Sequence, residues 1–164
     1  MSRRPIERTA VAVFVAGALL LSAPGSLAAA DPGADPVAGR ARLTVGSDAW
    51  KMLKATNASR GRYDLPTLRL NRELSQIARR HSLAMARNDQ LFHTADVGVY
   101  LQGISWHVWG ENVGYTPDDV PSMEEAFMNS PEHRSNILGG AFRHVAIGAV
   151  RVDGTLWVTV FFYG

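Results

Sequence analysis

The clearest pattern in the chain runs from Leu74 to Asn88. Leu74, Ile77, Ala78, His81, Ala84, Met85 and Asn88 recur at spacings of three and four, while Arg72, Arg79, Arg80 and Arg87 mostly fall off that stripe. This predicts an amphipathic helix, with Asn71 as its cap and Glu73 complementing the positive helix end. A different period governs the end of the chain. His144 to Val152 and Thr155 to Tyr163 read as two strands joined at Asp153-Gly154, a pair suited to a two-residue hairpin turn. Val158, Val160 and Phe162 alternate with Thr159, Phe161 and Tyr163, so both faces of the last strand are largely apolar and each requires a cover.

Weaker signals fill the rest. Ser47 or Asp48 can cap a helix carrying Trp50, Leu53 and Asn57 and stopping near Gly61; Arg62 to Leu70 then reads as a loop too short for another element. Thr94 to Gly114 mixes short strands with loop, and a third helix runs from about Pro121 to Asn129. Ser130-Pro131-Glu132-His133 has the form of a fresh helix start with Ser130 as cap, ending at Gly139-Gly140. Helices followed by a closing hairpin predict an α+β domain in which helices pack on an antiparallel sheet.

Composition changes this picture mainly at the N-terminus. Of 164 residues, the first 30 resemble an export signal: Arg3, Arg4 and Arg8, an uncharged run from Ala10 to Leu21, then small residues ending Ala28-Ala29-Ala30. That run is shorter than the about 17 residues needed to span a bilayer, so a secretory signal peptide over 1–30 is expected, cleaved after Ala30 or alternatively Ala28. A flexible linker over 31–46 and a folded domain over 47–164 follow. The whole chain carries a formal charge of +2. Residues 1–30 hold three arginines and one glutamate, and the remainder is formally neutral, so nucleic acid is not an expected partner. With no cysteine there is no disulfide, no cysteine nucleophile and no lipidated cysteine; packing alone must hold the exported domain. The processed product is therefore expected without a transmembrane anchor, secreted, extracellular or in the cell envelope.

The sequence lacks a G-x-S-x-G elbow, an H-E-x-x-H helix and a phosphate-binding glycine loop. Histidines and carboxylates at irregular points of the chain are what is left. His93 follows the amphipathic helix, Glu111 lies between Gly110 and Asn112, and His133 falls in the first turn of the Ser130-capped helix. Imidazoles from two segments can converge on a divalent ion, with Glu111 as proton acceptor or as the group that orients a ring. Each also has a structural reading: a ring packed in a loop, or a carboxylate holding backbone amides. His81 belongs to the apolar stripe, and Glu124 with Glu125 reads as a solvated helix face. Ser130 is a poor nucleophile candidate if capping occupies its oxygen.

Asn57-Ala58-Ser59-Arg60, the segment Leu70 to Ala86, Gly110-Glu111-Asn112-Val113 and, above all, Asn129-Ser130-Pro131-Glu132-His133-Arg134-Ser135-Asn136-Ile137-Leu138 together resemble the CAP superfamily of cysteine-rich secretory proteins, antigen 5 and pathogenesis-related proteins. The match extends over roughly Ser47 to Gly164 and is nearest to the compact bacterial members without disulfides. The resemblance implies an α-β-α sandwich with a central antiparallel sheet flanked by helices. It also implies a shallow cleft lined by a His/Glu tetrad, at which some relatives bind zinc or another divalent cation. His93, Glu111 and His133 match three of its positions. The fourth, a glutamate in the eukaryotic pattern, falls near Ser130, with Glu125 or Asn129 as surrogates.

The family has been credited with lipid and sterol binding, receptor signalling and proteolysis, so the fold does not choose among them. The reading preferred in the light of this resemblance is a non-catalytic binding module for a lipid, small molecule or envelope component, using a cleft with His93, Glu111, His133, Glu125 and Ser130 and the neighbourhood of Trp106 and Trp109. Two alternatives stand beside it. One is a metal-assisted hydrolase in which His93 and His133 hold a divalent cation such as zinc and Glu111, or His133, does catalytic work. The other is an extracellular interaction module whose tetrad is structural.

Overall fold

A computed structural model describes residues 10–12 and 45–164; all but the last two residues of the expected linker and almost all of the expected export signal lie outside the described residues. In chain order the elements are β1 (Ala10–Ala12), α1 (Ser47–Gly61), β2 (Arg69–Leu70), α2 (Arg72–Asn88), a 3-10 turn (Val97–Leu101), β3 (Trp109–Thr116), α3 (Val120–Asn129), α4 (Pro131–Ile137), β4 (His144–Val152) and β5 (Thr155–Tyr163). The sheet order is β1-β3-β5-β4-β2.

β4 and β5 form the hairpin over the expected residues. Its turn needs a positive φ at both central positions, and Asp153 at 48° and Gly154 at 80° supply them. β3 pairs antiparallel with β5 from Trp109↔Tyr163 to Thr116↔Leu156, and the three residues of β1 pair antiparallel with β3. The sheet is mixed, however, and not wholly antiparallel. Arg69 and Leu70, inside the segment read as a loop, form β2 and pair in parallel with His144 and Val145. A two-residue strand shows no period; a neighbour's backbone defines it.

Both faces of β5 are covered, as its double apolar pattern requires. Leu156, Val158, Val160 and Phe162 join one cluster with Met52 and Leu53 of α1, Met123 and Phe127 of α3 and Ile137 of α4. Phe161 and Tyr163 face the other way, onto Leu74 and Ala78 of α2. The result is an α-β-α sandwich in which, among the described residues, α2 covers one face and α1, α3 and α4 the other.

α2 approaches the sheet backbone to backbone. A Cβ at Gly148 would lie 2.1 Å from the Ala78 carbonyl carbon, so only glycine fits beneath that turn. Serines on the same helix face bond to the strand. Ile147 N–H, beyond the two residues that β2 pairs, donates to Ser75 Oγ at 3.0 Å, and Ser82 Oγ donates to the Gly148 carbonyl at 3.2 Å. Asn71 caps α2 as expected, its side chain accepting from Leu74 N–H at 3.1 Å.

In α1 the expected cap is not used. Gly46 holds the cap position, with no side-chain hydrogen bond, and the buried face is Ala49, Met52, Leu53, Thr56, Ser59 and Arg60, leaving Trp50 exposed. Arg60 is fully buried. Its guanidinium donates to the carbonyls of Pro66, Ile137, Gly139 and Phe142, closing the C-terminal end of α4 and the segment that follows.

Candidate functional site

Glu111 occupies a buried position on β3, 4% exposed. Alternation along the strand points its side chain toward the α2 layer and that of Asn112 toward α3 and α4. The loop after α2 comes to meet it. Asp89, in the left-handed conformation at φ 47°, ends the helix, and Gln90 N–H closes on the Met85 carbonyl. Leu91 and Phe92 then pack on the core formed by Met85, Val113, Val150 and Trp157, which sets His93 and Thr94 over the strand.

The carboxylate of Glu111 is held by three donors. His93 Nδ1–H donates to Oε2 at 2.6 Å, Thr94 Oγ1 donates to Oε1 at 2.7 Å, and Thr94 N–H reaches both oxygens at 3.0 and 3.2 Å. A carboxylate on Nδ1 fixes the ring's tautomer and orientation. His81, on α2, lies close by. Its Nδ1 is 3.1 Å from Thr159 Oγ1, and Phe92 meets its ring edge-on at 5.1 Å. Burial lowers its pKa, and this outweighs the upward pull of the Glu111 charge; a charged His93 would act downward, and the His93 carbonyl upward.

A second pair forms around His133, which is 1% exposed and stacks on Phe127 at 5.0 Å. Ser130 Oγ lies 2.8 Å from His133 Nδ1 and also reaches Glu132 Oε2 at 3.3 Å. Ser130 does stand at the cap position of α4, but its side chain bonds no helix amide; the imidazole has taken it instead. Capping therefore does not consume this oxygen, contrary to the expectation from the sequence. A nucleophile would still need oxyanion donors, and Pro131 has no N–H to offer.

The two pairs share one scaffold. Asn112 Nδ2 donates to the His133 carbonyl at 3.1 Å, while Asn136 Nδ2 donates to the Glu111 carbonyl and to Asn112 Oδ1. Gly110 leaves room for that asparagine: a Cβ there would be 2.5 Å from Asn136 Oδ1.

Other expected residues lie elsewhere. Glu125 and Asn129 are exposed on α3, and Ser130 is the residue beside His133. Glu124, read with Glu125 as a solvated face, is in fact 5% exposed, and Thr56 Oγ1 donates to its Oε2 at 3.0 Å. Burial pushes the Glu124 carboxyl pKa up, against the opposing pull of Ser59, Thr56 and Arg62. Trp106 and Trp109, expected to line a cleft, pack partly buried against the cluster of Leu74, Ala78 and Phe161.

A cavity of about 290 Å³ does open beside the site, lined by Ile77, Arg80, His81, Thr94 and Tyr100. Ile77, Arg80 and His81 are spaced i, i+3 and i+4 on α2, so one helix face forms one wall. Tyr100, from the 3-10 turn that Asp96 starts by accepting from Gly98 N–H, stands across from it. Thr94 belongs to both the wall and the Glu111 network. The helical spacing was visible in the sequence; the loop's return over it was not.

Over residues 53–162, more than half of its length, the chain matches the cysteine-rich secretory protein family, CAP. The chain belongs to the CAP family. YkwD of Bacillus subtilis is 31% identical over 117 residues, covering 68% of this chain and 45% of YkwD. An extracellular protein containing an SCP domain from Bacillus anthracis superposes with TM-score 0.62 and 25% identity, over 71% of this chain and 40% of that one. A cysteine-rich secretory protein from Staphylococcus aureus gives TM-score 0.59 and 26% identity, over 71% and 38%. This CAP chain thus matches less than half the length of each of these relatives.

Among the described residues no three histidine, aspartate or glutamate side chains are grouped to hold a metal ion. The Glu111–His93 bond is of the kind that orients a metal-ligating imidazole, but two imidazoles fall short of the three protein ligands of a catalytic zinc site. The donor set does not fit such a centre.

Proposed function

We propose that this CAP domain acts outside the cell as a binding module, taking a small molecule, lipid or envelope component into the cavity beside Glu111. The carrying observation is that Thr94 serves at once as a wall of the about 290 Å³ space and as a double donor to the buried carboxylate. A cavity wall fixed by a buried network is preorganised, and a ligand entering it orders little that is not already ordered. The mixture of Ile77 and Tyr100 with Arg80 and Thr94 matches the usual composition of a ligand site, apolar with a few convergent polar groups. Extracellular placement is supported by the Bacillus anthracis relative, an extracellular protein, and by the signal-like N-terminus. No helix among the described residues is long and apolar enough to cross a membrane.

The test is solvent extraction of the protein purified from its own export compartment, followed by mass spectrometry. A stoichiometric retained compound, lost in a Thr94→Val variant that still folds, supports the reading; a ligand-free protein contradicts it. The metal-assisted alternative predicts zinc uptake that His93→Ala and His133→Ala each abolish, read by calorimetry on the metal-stripped protein.

A further inference from the structure

The chemistry of the cavity's wall narrows what it accepts. Five residues line it, two of which carry cationic or imidazole groups, and none is acidic. Arg80 is exposed, and among the described residues it makes no hydrogen bond or ion pair. Its helix neighbours at i±3 and i±4 are Gln76, Ile77, Leu83 and Ala84, so no carboxylate on α2 can reach back to it. The nearby negative charge, on Glu111, is already committed: both oxygens accept from Thr94, and Oε2 also from His93. An unpaired guanidinium at a cavity wall is a site for a planar anion, which it can bind through two parallel N–H bonds. The rest of the wall calls for an apolar body. Ile77 is half-buried, and Tyr100, 41% exposed, is braced from behind by Phe161, whose ring is stacked on it at 6.3 Å. Size limits that body, because about 290 Å³ lies at the lower edge of the about 300–1,000 Å³ typical of ligand pockets.

We infer that the cavity is a site for a small monocarboxylic acid, its carboxylate on Arg80 and its apolar or aromatic body between Ile77 and Tyr100. The inference rests on the binding-module reading and specifies its ligand class. Thr94, whose hydroxyl is held by Glu111, sets the floor, while Arg80 supplies discrimination for charge and Ile77 with Tyr100 supplies affinity without it.

Benzoate and its neutral isostere benzamide separate these contributions, by calorimetric titration and amide NMR of the protein at low salt, where an exposed guanidinium is least screened. Benzoate should bind about tenfold or more tighter than benzamide, with shifts at Ile77, Arg80, Thr94 and Tyr100. Arg80→Gln should bring benzoate down to the level of benzamide, and Ile77→Ser should weaken both. Equal binding of the two probes, an unchanged preference in Arg80→Gln, or binding of neither overturns the inference. If neither probe binds yet a neutral compound is extracted from the purified protein, the carboxylate assignment fails and the binding-module reading stands. If the extract is also empty, both fail.

Discussion

Two buried charges anchor the two layers of this sandwich, and they serve different ends. On the α1 side Arg60 is fully buried, with four backbone carbonyls around its guanidinium. On the α2 side Glu111 is 4% exposed and takes donors from His93 and Thr94. Both pin irregular chain segments to regular elements. Arg60, however, is surrounded by main chain from its own loop and the end of α4, whereas one of the donors to Glu111 lines a cavity. Burial of a charge therefore does not by itself mark a functional site. The proposed binding role rests instead on the contact between a satisfied charge and a solvent-reaching cavity.

The strongest test of that contrast is Arg60→Met. It leaves several buried carbonyls without a donor at once, so a loss of about 3 kcal/mol or more is expected in urea denaturation, up to failure to fold. Glu111→Ala should cost less, about 2 kcal/mol, because one of the donor residues it abandons, Thr94, lines a cavity that water can enter. Its distinguishing effect should be functional: loss of the retained ligand in extraction experiments on the folded variant.

Glu124 sharpens the comparison from the other direction. Its folded-state pKa is raised by burial, so the folded protein holds that proton more tightly than the unfolded chain. The associated stability is present below the unfolded carboxyl value and is lost as pH rises through the folded one. Glu124→Gln should flatten this slope in denaturation midpoints measured across the acidic range, and it should raise stability at neutral pH. His81 acts oppositely. With its pKa lowered by burial, it contributes stability above the ordinary imidazole value that is lost as pH falls through the folded one. The smallest effect belongs to Glu125→Ala, expected to change stability by less than about 0.5 kcal/mol and ligand retention not at all, since this residue is exposed on α3.

What the sequence disclosed follows the range of the forces involved. The β4–β5 hairpin and the Asn71 cap of α2 depend on residues near one another in the chain, and both were legible as period, turn chemistry and capping. The pairing of His93 with Glu111 was suggested by residue type and by the family resemblance and not by any local pattern, because the two lie 18 positions apart in the chain. β2 was missed because two residues have no pattern of their own. Arg60 read as a helix end, since its carbonyl partners on Ile137, Gly139 and Phe142 lie 77 to 82 residues away. Glu124 and Glu125 read as alike. The rotation of α3 against Thr56 of α1 decides which is buried, and no single-helix pattern contains that angle. Trp106 and Trp109 were expected beside a binding cleft, but they pack partly buried over the sheet face.

The claim that the cavity beside Glu111 is the binding site is tested most directly by hydrogen–deuterium exchange on the protein recovered from its export compartment, before and after its ligand is extracted. The account predicts that extraction loosens residues 77–81 and 94–101 and leaves 130–138 unchanged. Loosening centred on 130–138 or on Trp106 and Trp109, with 77–81 and 94–101 unaffected, would contradict it.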